Sequence, residues 1–63
     1  MAADLAGLSV CVAGLGVSGP PAARVLASLG AVVTAVDSRD DTERQKIASE
    51  LIDLGIDVRL GGA

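Results

Sequence analysis

The residues best suited to hold a ligand in this chain are Gly14, Leu15, Gly16, Val17, Ser18 and Gly19, spaced G-x-G-x-x-G and followed at once by Pro20 and Pro21. Such a run suits a loop that cradles a diphosphate. The first glycine permits a tight turn, the second lets the backbone approach the phosphates, and the third lets a helix pack closely on a strand. Free N–H groups at a helix start, aided by its partial positive charge, can bind an anion without a cationic side chain. Proline carries no N–H, so phosphate-facing amides must precede Pro20, at about Gly16 to Gly19. Ser18 adds a hydroxyl donor. Pro20 disfavours helical geometry at Gly19, which predicts a regular helix opening near Pro21. The bland alternative is a strand–helix turn that binds nothing.

Asp37 stands 18 residues after Gly19. In dinucleotide-binding loops an acid about 20 residues on accepts from a ribose hydroxyl. Otherwise Asp37 is a solvated turn residue or a helix cap. Arg39 could meet a phosphate or stack on a base, though one arginine among the acids of DSRDD also reads as simply solvated. Nothing else is equipped for chemistry. The chain has no histidine, no metal-ligand cluster, no Ser or Cys beside a base, and no G-x-x-x-x-G-K-[ST] phosphate loop. Its one cysteine, Cys11, lies in an apolar run and is expected to be a buried, inert thiol. These residues are expected to bind, and no catalytic residue is expected among them.

The elements that must position this loop can be read from pattern. Ser9–Ala13 (SVCVA) is a β-branched run entering the glycine loop, hence a first strand. Residues 22–29 (AARVLASL) form a first helix closed by Gly30, and residues 32–36 (VVTAV) a second strand. Residues 42–54 read as a second helix, with Thr42 and Gln45 spaced as a capping box, Ile47, Leu51 and Leu54 as its apolar stripe, and Gly55 as its stop. Asp40, Asp41 and Glu43 complement its dipole, and Lys46 and Glu50 make a surface i,i+4 pair. Asp57–Leu60 alternates charged and apolar residues, as an edge strand does. The rhythm is βαβαβ. Right-handed crossovers then put both helices on one face and give strand order 3-2-1, the α/β, Rossmann-like half of a doubly wound parallel sheet.

Composition narrows the possibilities. The chain has 63 residues, 51% of them hydrophobic with no Phe, Tyr or Trp, and a net charge of −3. An aliphatic core of this kind fits close-packed βα units. The acidic balance and missing aromatics argue against a nucleic-acid surface. No run approaches the ~18 apolar residues of a membrane span, and MAADLAGLS lacks the basic flank of a signal peptide. A cytoplasmic location is expected. Sixty-three residues and a sheet that normally continues past its third strand suggest a piece of a longer protein.

The segments VAGLGVSG, AARVLASLGAVVTAVD and LIDLGIDVRLG resemble the N-terminal domain of the D-glutamate-adding bacterial Mur ligases, over residues 7–61. The resemblance implies that the domain holds the UDP part of a nucleotide-sugar substrate rather than NAD. Carried over to this chain, Gly14 to Gly19 with the Ser18 hydroxyl would meet the diphosphate, and Asp37, Ser38 and Arg39 would lie at the uracil end. The prolines at 20 and 21 depart from many members and bear on where the first helix starts. The resemblance further implies ATP-dependent amide formation through an acyl phosphate in peptidoglycan precursor synthesis, and a monomeric whole protein. ATP and Mg2+ would be bound by a central domain outside this chain, and a third domain would bring the amino acid.

Two other readings of the fingerprint stay open. One is an NAD(P)-binding domain of an oxidoreductase, with Arg39 tolerating a 2′-phosphate. The other is a non-enzymatic nucleotide-sensing domain. On any reading, a lone half sheet with helices on one face leaves an open edge and a bare apolar face, so the isolated chain is expected to self-associate.

Overall fold

The computed structural model describes residues 6–62; the first five residues, where a targeting signal would begin, and Ala63 lie outside them. Five elements follow in order: β1 (Ser9–Ala13), α1 (Gly19–Ser28), β2 (Val32–Asp37), α2 (Thr42–Asp53) and β3 (Asp57–Leu60). All strands are parallel, and β2 lies between β1 and β3. This is the expected Rossmann-like βαβαβ half.

Register divides the sheet into two faces. Val10 pairs with Val33 and Val12 with Ala35, which in turn faces Val58. Val33 and Ala35 on that face are buried and join Leu15, Ala23 of α1, and Leu51 and Ile56 in one core cluster. Both helices therefore cover the same side, as two crossovers of one hand require. On the other side Ser9, Cys11 and Ala13 lie beside Val32, Thr34 and Val36. Cys11 is exposed there, contrary to the buried thiol expected from its apolar neighbours. Alternation sends it to the face that no helix covers.

The two Leu-Gly pairs end the helices alike. Gly30 N–H donates to Ala27 and Ala31 N–H to Leu26, while Gly55 N–H donates to Ile52 and Ile56 N–H to Leu51. Each is a Schellman motif, with the glycine at φ +91° or +83°.

Several local expectations are corrected. Helix α1 opens at Gly19, ahead of Pro21. The residue before a proline avoids helical geometry partly because its Cβ meets the ring, and Gly19 has none. The cap of α2 is Asp41, whose carboxylate accepts from Arg44 N–H at 2.7 Å, so Thr42 and Gln45 form no capping box. The Gln45 amide donates instead to Asp40 at 3.0 Å. The buried stripe of α2 is Arg44, Ala48 and Leu51, and Leu54 is exposed. Glu50 pairs with Arg24 of α1 at 3.1 Å, linking the two helices. An exposed pair of this kind contributes little to stability.

Candidate functional site

Local rules build the glycine loop at the C-terminal end of β1. Gly14 takes φ +95°, a conformation L side chains resist, and its N–H donates to the Val36 carbonyl at 2.7 Å. A Cβ on Gly19 would run into the Gly14 carbonyl oxygen, so a glycine there is what lets α1 start against the loop. A Cβ on Gly16 would meet nothing within 4 Å. Between these glycines Leu15 is wholly buried, while Gly16, Val17 and Ser18 are exposed.

Among the described residues, the N–H groups of Gly16, Val17, Ser18 and Gly19 donate no hydrogen bond. The next amide that does is Ala22, to the Ser18 carbonyl at 3.2 Å. Pro20 and Pro21 have no N–H to offer, so the unsatisfied donors of the helix start gather in the loop. Ser18 stands at the cap position, yet its side chain makes no capping bond. Its hydroxyl is free for another acceptor.

The C-terminal end of β2 holds the loop from below. The buried Asp37 accepts from Leu15 N–H at 2.8 Å through Oδ2. It also accepts from Arg39 N–H at 2.8 Å and Nε at 3.1 Å through Oδ1, and from Arg39 Nη2 at 2.9 Å through Oδ2. These four bonds fill the lone-pair sites of a carboxylate. The Arg39 side-chain bonds, then the N–H groups of Leu15 and Arg39, hold the Asp37 carboxyl well below its ordinary range. Arg39 is raised above its own by the same partner. Arg39 is thus not simply solvated, although its side chain stays 54% exposed.

An open cleft of about 480 Å³ lies at the same end of the sheet, lined by Val36, Asp37, Ser38, Arg59 and Gly62. Clefts at the carboxyl ends of parallel strands are where open α/β sheets bind ligands. Of the residues singled out in the sequence, Asp37 touches the loop and Ser38 lines the cleft. Arg59 and Gly62 were not foreseen there. Among the described residues no group of three or more His, Cys, Asp or Glu side chains could hold a metal ion, and no helix is long and apolar enough to cross a membrane.

Sequence reasoning also missed Arg44. Its side chain is 8% exposed, and its Nη1 donates to the Leu15 carbonyl at 2.8 Å. Leu15 is therefore gripped at both backbone groups, by Asp37 from β2 and by Arg44 from α2. The signal was present: Arg44, Ala48 and Leu51 stand at helical spacing on one stripe.

The glycine loop, the parallel strands and the single helical layer define a Rossmann-type half. The chain belongs to the family described as alanine dehydrogenase/PNT, C-terminal domain, whose model matches residues 3–58. It is also similar to proteins named UDP-N-acetylmuramoylalanine–D-glutamate ligase. Identity is 62% over 55 residues with that of Streptomyces avermitilis, covering 87% of this chain and 12% of the relative. With that of Streptomyces coelicolor it is 54% over 61 residues, covering 97% and 13%. With that of Thermobifida fusca it is 53% over 58 residues, covering 92% and 12%. The chain thus spans about an eighth of the length of these relatives. No solved structure gives a significant match.

Proposed function

We propose that this chain is the UDP-binding part of an ATP-dependent ligase that joins D-glutamate to UDP-N-acetylmuramoyl-L-alanine in peptidoglycan precursor synthesis. The observation that carries the reading is a shared name: six curated relatives, 42 to 62% identical, are all called UDP-N-acetylmuramoylalanine–D-glutamate ligase. The geometry supports it. A diphosphate would lie on the unpaired amides of Gly16 to Gly19 with the Ser18 hydroxyl, and the uracil would sit near Asp37, Ser38 and Arg39.

The family description favours a second reading, an NAD(P)-binding unit of a dehydrogenase. Asp37 weighs against it. In a dinucleotide site this carboxylate receives ribose hydroxyls, whereas here both oxygens are taken by Leu15 and Arg39. A ribose could enter only by displacing the Arg39 side chain.

On the ligase reading these residues anchor and do not catalyse. Gripping the remote UDP handle spends binding energy on orienting the distant carboxylate for attack. ATP with Mg2+, bound by residues outside this chain, would supply the phosphoryl group that activates that carboxylate. The setting would be the cytoplasm, where nucleotide-linked precursors are made.

Isothermal titration of the full-length protein with UDP and with NAD tests the proposal. UDP is expected to bind and NAD to give no response. Tight NAD binding with silence toward UDP would sink the ligase reading.

A further inference from the structure

Helix α2 carries a cation on its buried stripe, where an apolar residue would cost less. Taking a guanidinium out of water is unfavourable unless its donors are used, and the acids beside it, 54% and 75% exposed, offset little of that cost. Arg44 therefore calls for a use other than holding the fold together. Its head is held on two sides and faces an acid on the third. Nη1 reaches the Leu15 carbonyl at 2.8 Å, Nη2 stands 3.1 Å from Glu43, and Nε stands 3.5 Å from Asp41 with no hydrogen-bond partner.

The Leu15 carbonyl shares its peptide plane with the Gly16 N–H. Among the described residues no peptide bond is cis, and in a planar trans peptide these two groups point in opposite directions. Whatever draws the carbonyl inward turns the N–H outward. The preceding peptide is pinned separately, since Asp37 takes the Leu15 N–H. The orientation of the 15–16 peptide thus hangs on Arg44 alone among the hydrogen bonds of the described residues.

We propose that Arg44 is a positioning residue for the diphosphate loop: it draws the Leu15 carbonyl under the loop and so presents the Gly16 N–H to a bound diphosphate. This rests on the reading that the loop takes a diphosphate, and it does not depend on which nucleoside carries that group. Without Arg44 the buried Leu15 carbonyl has no donor. It finds one by rotating the 15–16 peptide outward, which carries the Gly16 N–H away from the ligand.

The test is calorimetric titration of the full-length protein with inorganic pyrophosphate, UDP and NAD, for the parent, Arg44→Met and Leu51→Ala. Leu51 is fully buried on the same helix and shares the core cluster with Leu15. It makes no polar contact with the loop, so its truncation reports loosening of that core without loss of the hydrogen bond to the Leu15 carbonyl. Arg44→Met is expected to weaken pyrophosphate and UDP by about tenfold or more, the equivalent of one charge-assisted hydrogen bond. Leu51→Ala is expected to lower the thermal midpoint while the folded protein keeps its affinity. Arg44→Lys, which retains a donor, recovers part of the loss. Unchanged affinity in Arg44→Met overturns the proposal, and so does an equal affinity loss in Leu51→Ala. If Arg44→Met does not fold, Arg44→Gln, whose amide is too short to reach, is read in the same way. A parent that binds pyrophosphate and NAD but not UDP ends the ligase reading, and the pyrophosphate series still decides Arg44. A parent that binds no diphosphate overturns both.

Discussion

Two glycines in one loop offer a test in which the same substitution has opposite consequences. A methyl group on Gly19 would be driven into the Gly14 carbonyl oxygen, backbone against backbone, with no side chain free to rotate away. Overpacking costs about 1–3 kcal/mol, and a backbone obstacle places Gly19→Ala at the upper end. No helix-propensity gain offsets this, because Gly19 is the first helical residue and a Cβ there would also meet the Pro20 ring. The expectation is a loss of about 3 kcal/mol, or a fall of roughly 1 M or more in the urea midpoint. On Gly16 the same methyl meets nothing within 4 Å, and its backbone is not in the left-handed region. Gly16→Ala should then match the parent or gain up to about 1 kcal/mol through the unfolded state, while losing UDP affinity because the methyl occupies the phosphate's place. Urea unfolding followed by circular dichroism, with titration of the same samples, reads both effects. A Gly19→Ala protein as stable as the parent would refute the close approach of α1 to the loop. A Gly16→Ala protein that binds UDP normally would refute the loop as the diphosphate site.

Three further expectations concern single groups. Ser18→Ala should leave stability unchanged, since the hydroxyl makes no cap bond, and should weaken UDP binding by about 1 kcal/mol, measurable by titration. The depressed Asp37 carboxyl binds fewer protons folded than unfolded, so its stabilising contribution is complete above the ordinary carboxylate range and fades as pH falls through and below that range. Urea midpoints from about pH 6 down to about pH 2 should fall more steeply in the parent than in Asp37→Asn, and parallel curves would remove Asp37 as the cause. Cys11 should react with a thiol reagent in the folded, dilute 63-residue chain. If the bare sheet face self-associates, that rate should drop as concentration rises, and sedimentation should show species larger than a monomer.

What the sequence made legible was whatever depends on neighbours along the chain. The bounds of β1 and β3, the glycine that ends each helix, and the parallel order all follow from short patterns and the handedness of crossovers. What it hid depends on groups far apart. Alternation divided β1 into two sets, but an apolar run alone could not assign Cys11 to the uncovered one. Three acids and a threonine crowd the entrance to α2, and only the path of the chain leaving Asp37 makes Asp41 the cap. Asp37 was visible as a candidate by its spacing from the loop. Its saturation by Leu15 and Arg39 required the fold. Arg44 drew no reading from the sequence, and the stripe it shares with Ala48 and Leu51 was the overlooked clue.

Every arginine of the chain is already matched to an acid: Arg24 to Glu50, Arg39 to Asp37, Arg44 to Asp41 and Glu43, and Arg59 to Asp57. In a chain of net charge −3, a diphosphate on the loop would be held chiefly by neutral dipoles. Neutral donors release no counterions when an anion arrives. Affinity for UDP should therefore change little with ionic strength, whereas a site built on free cations would weaken steeply. A steep fall between low and high salt would mean that one of these arginines leaves its acid to meet the ligand.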